Sequence, residues 1–299
     1  MQKSILPFLF VLAALNIYCA DKKSAPVLDT SIRHTNWLEV CRKDPALLVN
    51  LERGFGDDED YEVSVKQDSD VIGGFLPDSE SIVYLDLNHD NREDAALLMH
   101  SGGTAGFVSV FVFLQTDKGP TFAGYEAGYQ LGLDTKGTDT LVMYSALFAP
   151  GDGNCCPSGE NVYHITYAKN KLRSKFVRTE GNVEAASNSV LRYYMSIDTK
   201  EFEAAYDCLS PSYQKAHPYK EWVAGYGNTI STEVDYGEVN TKDTTVEVTI
   251  HSTDRIGGPN STEEGHHTFQ GTWEMQWYTI PGKPDVGAWV LTNPKIRKV

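Results

Sequence analysis

An α+β fold is predicted for this chain of 299 residues, and three changes of rhythm predict it. From Ser81 to Ala168, short apolar runs are separated by Gly, Asp and Pro at close intervals, the pattern of an antiparallel sheet. Beyond Glu180-Gly181-Asn182, the residues Val183, Ala186, Val190, Tyr193, Tyr194 and Ile197 recur at helical spacing. After Asn228 the period returns to two, in Val246/Val248/Ile250 and Trp273/Met275/Trp277. The expectation is an N-terminal antiparallel β-rich domain, residues 31–180, followed by an α+β domain, residues 183–299.

The chain starts with a leader. Lys3 precedes an apolar run, Ile5 to Tyr18, which is followed by Cys19 and polar sequence. A helix of that length reaches roughly 21 Å, short of a ~30 Å hydrocarbon core, so the run does not suit a permanent span. Residues 1–18 resemble the signal peptide of a bacterial lipoprotein, with Cys19 as the lipidated residue and residues 19–30 as a polar tether. Tyr18 and Asn16 depart from the usual small residue and Leu of that motif. Acyl chains on Cys19 imply a membrane partner and a cell-envelope location; cleavage after Ala20 would instead release a soluble protein.

Asn36–Leu51 is expected to be a short helical stretch interrupted at Pro45, and Gly56–Asp60 a charged loop. Strands are expected at 82–85, 95–99, 107–114, 120–129, 141–148 and 162–168. In the second part, Phe202, Ala205, Tyr206 and Leu209 mark a further helix. Ser210-Pro211 reads as an N-cap followed by proline at the first helical position. Tyr219–Tyr226 continues the helices.

The net charge is −15, and acidic residues outnumber basic ones on both sides of Gly181. Such a surface repels nucleic acid and anionic lipid. Of the five cysteines, Cys19 is assigned to lipid, leaving Cys41, Cys155, Cys156 and Cys208. An oxidising compartment permits a disulfide, and the preferred pairing is Cys41 with Cys155 or Cys156, all in the first half. The chain has no C-x-x-C, G-x-S-x-G, H-E-x-x-H or P-loop pattern.

The sharpest motif is Asp86-Leu87-Asn88-His89-Asp90-Asn91-Arg92-Glu93-Asp94. Oxygen donors fall at calcium-loop positions from Asp86, Asn88, Asp90 and Asp94, with the Arg92 carbonyl between the last two. Position 12 is Leu97 rather than Glu, and the flanks read as strands. Two readings stand: a calcium loop, or a metal-free turn in which Asp and Asn bond their own backbone amides. The segment, with Ser101–Phe107 and Asn154-Cys155-Cys156-Pro157-Ser158, resembles an uncharacterised family of bacterial envelope proteins over roughly residues 70–175.

The C-terminal part resembles the nuclear transport factor 2-like superfamily. Val190–Tyr194, Phe202–Tyr206, Leu209–Tyr213, Tyr219 to Tyr226 with Trp222 and Gly225, and Trp289-Val290-Leu291 carry the likeness. It implies a cone-shaped α+β domain, in a superfamily holding isomerase- and cyclase-type enzymes as well as non-catalytic envelope modules. An enzyme of that type needs a carboxylate base inside an apolar pocket beside a Tyr donor. Asp207 and Asp235, with Tyr194, Tyr206 and Tyr226, are the nominees, and finding both carboxylates on solvent faces rejects them. His266-His267 alternate across a strand and do not suit one ion. The function expected is a non-catalytic lipoprotein that binds a small ligand or an envelope protein at the membrane surface or cell wall; the alternatives are the isomerase-type enzyme and a calcium-stabilised structural protein.

Overall fold

The computed structural model describes residues 28–51, 61–68, 70–258 and 260–299. The leader, Cys19, most of the tether and the charged loop at Gly56–Asp60 lie outside the described residues.

After a 3-10 turn at Ser31–His34 comes α1, Trp37–Lys43, capped by the Asn36 side chain, which accepts from the Glu39 amide. Pro45 then ends helical structure altogether: Leu47–Leu51 is a strand, β1, and not the second half of a helix. β2 (Tyr61–Gln67), β3 (Asp70–Leu85), β4 (Asp94–His100), β5 (Phe107–Thr116) and β6 (Gly119–Ala127) follow. These six form one antiparallel sheet in chain order. β7 (Gly132–Lys136), β8 (Thr140–Leu147), β9 (Gly159–Ala168) and β10 (Lys171–Gly181) form a second antiparallel sheet.

The central strands β4 and β5 are apolar on both faces, and alternation sends each face to a different core. Ala95, Leu97, Met99, Phe111 and Phe113 pack under Ile32, Trp37 and Cys41 of the N-terminal turn and helix. Ala96, Leu98, Val110 and Val112 meet Leu141, Met143 and Ile165 of the second sheet. The two sheets are therefore stacked, with the N-terminal segment as a third layer.

A 3-10 turn at Val183–Ala185 leads to α2 (Ala186–Asp198), then α3 (Phe202–Asp207), α4 (Pro211–Ala216) and α5 (Tyr219–Ala224). β11 (Thr229–Asn240), β12 (Thr245–Arg255), β13 (Glu264–Thr279) and β14 (Gly287–Lys298) form a third antiparallel sheet in chain order. The helices lie over one face of it, where Val190, Tyr193, Ile197 and Trp222 meet Val246, Val248, Trp273 and Leu291. The junction with the second sheet is tight. A Cβ on Gly159 or Gly181 would stand 2.6 Å from the Trp277 ring. The Trp289 indole donates to the carbonyls of Ser158 (3.1 Å) and Asn182 (2.8 Å).

The expected α+β class is corrected by these elements. Among the described residues, fourteen strands in three antiparallel sheets stand against five α-helices, and α3, α4 and α5 are only six residues each. The protein is mainly β, without a clear α+β cone of the nuclear transport factor 2-like kind. The helical stripe over 202–226 is cut by Pro211, Pro218 and Gly225, so it makes single-turn segments, whereas β11 to β14 run to 11–16 residues. The sequence reading places no strand at 47–51, 61–67, 132–136 or 171–181; the first, third and last are sheet edges that bury little, while β2 does alternate, through Tyr61, Val63 and Val65.

Candidate functional site

Three places bring together groups with chemical potential, and they differ in what their polar atoms already do.

The first is the loop Asp86–Asp94. His89 and Asn91 take left-handed backbone, φ 62° and 64°. Asp86 Oδ1 and Oδ2 accept from the amides of Asp90 and Asn91, both at 3.0 Å. Asn88 Oδ1 accepts from the Asp90 amide at 3.1 Å, and Asp90 Oδ1 from the Arg92 amide at 3.0 Å. Asp94 is turned inward and fully buried, where its two oxygens hold the amides of Leu87 and Gln115, each at 2.9 Å. Burial pushes the Asp94 carboxyl up to about 6. Arg92 spends its guanidinium on Asp117, and Glu93, buried, takes a two-pronged contact from Arg33 at 2.5 and 2.6 Å. Among the described residues no group of three or more His, Cys, Asp or Glu side chains is placed to hold a metal ion. Of the calcium set read from the sequence (Asp86, Asn88, Asp90, the Arg92 carbonyl and Asp94), the four side chains each accept from at least one of the chain's own amides, as the metal-free turn requires.

The second place is the loop 149–158. Cys155 and Cys156 are bonded to one another, and Cys41 and Cys208 are free and buried. The expected pairing of Cys41 is thus corrected: it lies on the buried side of α1, in the first core, where burial pushes its thiol up to about 12. Asp152 organises the loop. Its carboxylate accepts from the Ala149 amide (2.7 Å), the Ser158 amide (2.8 Å) and the Ser158 hydroxyl (2.8 Å).

The third place is a cavity of about 330 Å³ between α2, the end of α5 and the third sheet. On β12, alternation puts Val246, Val248, Ile250, Ser252 and Asp254 on the helix-facing side. On β13 the same rule selects His267, Phe269, Gly271 and Trp273. A Cβ on Gly271 would stand 2.0 Å from the Lys295 carbonyl, so glycine lets β14 close on β13 there. The aromatic wall is ordered by its own polar tips. The Trp273 indole donates to the Tyr194 hydroxyl at 2.9 Å, and the Tyr193 and Tyr226 hydroxyls share a bond of 2.8 Å. Burial raises the pKa of all three tyrosines, so the wall stays neutral.

Asp254 is the charge at the rim. Thr229, its cross-strand partner on β11, donates to Oδ1 at 2.8 Å, and Ser252 donates to Oδ2 at 2.8 Å. His267 Nε2 stands 3.9 Å from Oδ2, while its Nδ1 accepts from Lys298 Nζ at 2.7 Å. His266 points to the other face and meets Thr253, so the two histidines do not share a ligand.

The nominated catalytic groups are elsewhere. Asp207 is exposed on α3, and Asp235 lies on the outer face of the sheet, 3.6 Å from His251. That outer face holds a larger, shallow hollow of about 940 Å³. Its lining is mostly charged and polar, with Asp235, Glu247, Lys295 and Arg297, and Tyr236 is the one aromatic residue among the described residues there. Tyr206 bonds the carbonyls of Gln214 and His217, away from the cavity. Only Tyr194 and Tyr226 of the nominees face it. The residue missed was Asp254. The signal available was its parity with Val246, Val248 and Ile250 along one strand.

No protein-family model matches the chain, and no curated protein matches it.

Proposed function

We propose that this protein is a non-catalytic binding module of the cell envelope, tied to a membrane through lipid on Cys19, that holds a small ligand in the cavity beneath α2. The observation that carries the reading is the cavity itself, lined by Tyr213, Tyr226, Phe269 and Trp273 with Ile250 and Ile296, together with hydroxyls and one carboxylate. Ligand sites are concave, mainly apolar and furnished with few polar groups, and 330 Å³ falls at the small end of their range. The exposed positions of Asp207 and Asp235 remove the carboxylates nominated for isomerase chemistry. Among the described residues no helix is long and apolar enough to cross a membrane, and the anchoring rests on the sequence Ile5–Cys19.

Two measurements test this. Intact mass of the membrane fraction should show an acylated chain beginning at Cys19; an unmodified chain with its leader would overturn the anchoring. Calorimetric titration with indole, a neutral ring, should give one site per chain that disappears in Thr232→Trp, which fills the cavity. No heat in the parent protein, or equal binding in the variant, would overturn the cavity as the site.

A further inference from the structure

We infer that the ligand is an organic cation, an alkylated or quaternary ammonium compound, whose charge sits between Asp254 and the aromatic wall. The inference rests on the cavity being the binding site and adds the class of molecule it selects.

Charge comes first. Among the described residues lining the cavity there is no Lys or Arg, and Asp254 is the one ionisable group at its rim besides the tyrosines. Those tyrosines are held protonated by burial. The carboxylate is fixed rather than neutralised. Each oxygen holds one hydroxyl, from Thr229 or Ser252, which orients the group but brings no positive charge. A carboxylate offers about four acceptor directions, so two remain. His267 makes no hydrogen bond to Asp254: its Nε2 stands 3.9 Å from Oδ2, and its Nδ1 is taken by Lys298 Nζ at 2.7 Å.

The walls come second. Indole and phenol rings carry negative faces that attract a cation within about 6 Å, by about 0.5–2 kcal/mol each. Trp273, Tyr213 and Tyr226 supply such rings around one space. They are locked against one another: Tyr213 and Trp273 have centroids 6.1 Å apart and Tyr193 and Trp273 5.6 Å. A small cation with an apolar shell buries its methyl groups on these rings and needs no hydrogen-bond donor. A metal ion or an anion finds no such match: the first needs several converging oxygens, and the second would face a carboxylate.

Choline and its neutral carbon isostere, 3,3-dimethylbutan-1-ol, separate charge from shape. Calorimetric titration of the mature protein should show choline binding at least tenfold more tightly than the alcohol. In Asp254→Asn that preference should fall below threefold, with the alcohol's affinity unchanged. The ratio in the parent protein is informative by itself, so the inference does not depend on the variant folding. Equal affinity for the two probes would overturn the cation while leaving indole binding, and so the cavity, intact. A cation preference that survives Asp254→Asn would overturn the role of Asp254. Absence of choline binding alongside indole binding would also reject the inference, and absence of both would remove the cavity reading with it.

Discussion

The loop Asp86–Asp94 and the rim of the aromatic cavity are both built around aspartates, and they spend them differently. In the loop, the oxygens of Asp86 and Asp94 are bonded to backbone amides, two per side chain, and Asp90 and Asn88 bond within the loop. At the cavity a single aspartate, lining the space, holds the hydroxyls of Thr229 and Ser252. The density of carboxylates therefore misleads. What distinguishes the two is the partner: the loop's carboxylates hold backbone amides that define the turn, whereas Asp254 holds two side-chain hydroxyls at the edge of a cavity.

The contrast can be broken at several points. The largest expected effect is on the loop: Asp94→Ala leaves the buried amides of Leu87 and Gln115 without acceptors, at about 1–3 kcal/mol each. Urea denaturation should therefore show a loss of about 2–4 kcal/mol, while indole binding at the cavity persists. Loss of binding without loss of stability would reverse the roles assigned to the two regions. Asp254→Asn should show the opposite profile: less than about 1 kcal/mol of stability, because the Thr229 and Ser252 hydroxyls can reorient, but a roughly threefold or greater loss of choline affinity.

A pH series sharpens the same point. Asp94 in the folded chain keeps its proton up to about pH 6, whereas in the unfolded chain it releases it near pH ~4. Between those values the folded state binds more protons. The stability linked to this group is thus present in acid and declines as pH rises through about 6. The stability difference between the parent and Asp94→Asn should shrink from pH 4 to pH 7; a difference that grows would contradict the burial of that carboxyl. The smallest expected effect is that of calcium. Because the loop is closed by its own amides, millimolar calcium should move the melting temperature by less than about one degree. A rise of several degrees would favour the calcium reading of Asp86, Asn88, Asp90, Arg92 and Asp94 over the metal-free turn.

Much of the strand framework could be read from period and punctuation. The runs at 95–99, 107–114 and 162–168 are strands, and Ser210-Pro211 is an N-cap and first turn, with the serine hydroxyl accepting from the Tyr213 amide. The edge strands at 47–51 and 171–181 were hidden because they bury little and so show no clear alternation. The fold class failed for a related reason. Helical spacing over 183–226 was real, but proline and glycine broke it into short pieces that do not balance three sheets. The cavity was half visible: Tyr193, Tyr194 and Tyr226 stood on a helical stripe, yet Asp254 became notable only once β12 was paired with β11 and its rim position was set by Thr229. Adjacent cysteines were plain in the sequence, but which sulfurs meet is decided by placement: Cys41 is buried on α1, while Cys155 and Cys156 bond each other in the loop at 149–158.

The most direct test of the account is a two-region NMR titration with choline. Saturation should shift the indole N–H of Trp273 and leave the amides of Asp90 and Asn91 unmoved. Shifts at Asp90 and Asn91 with a silent Trp273 would contradict it.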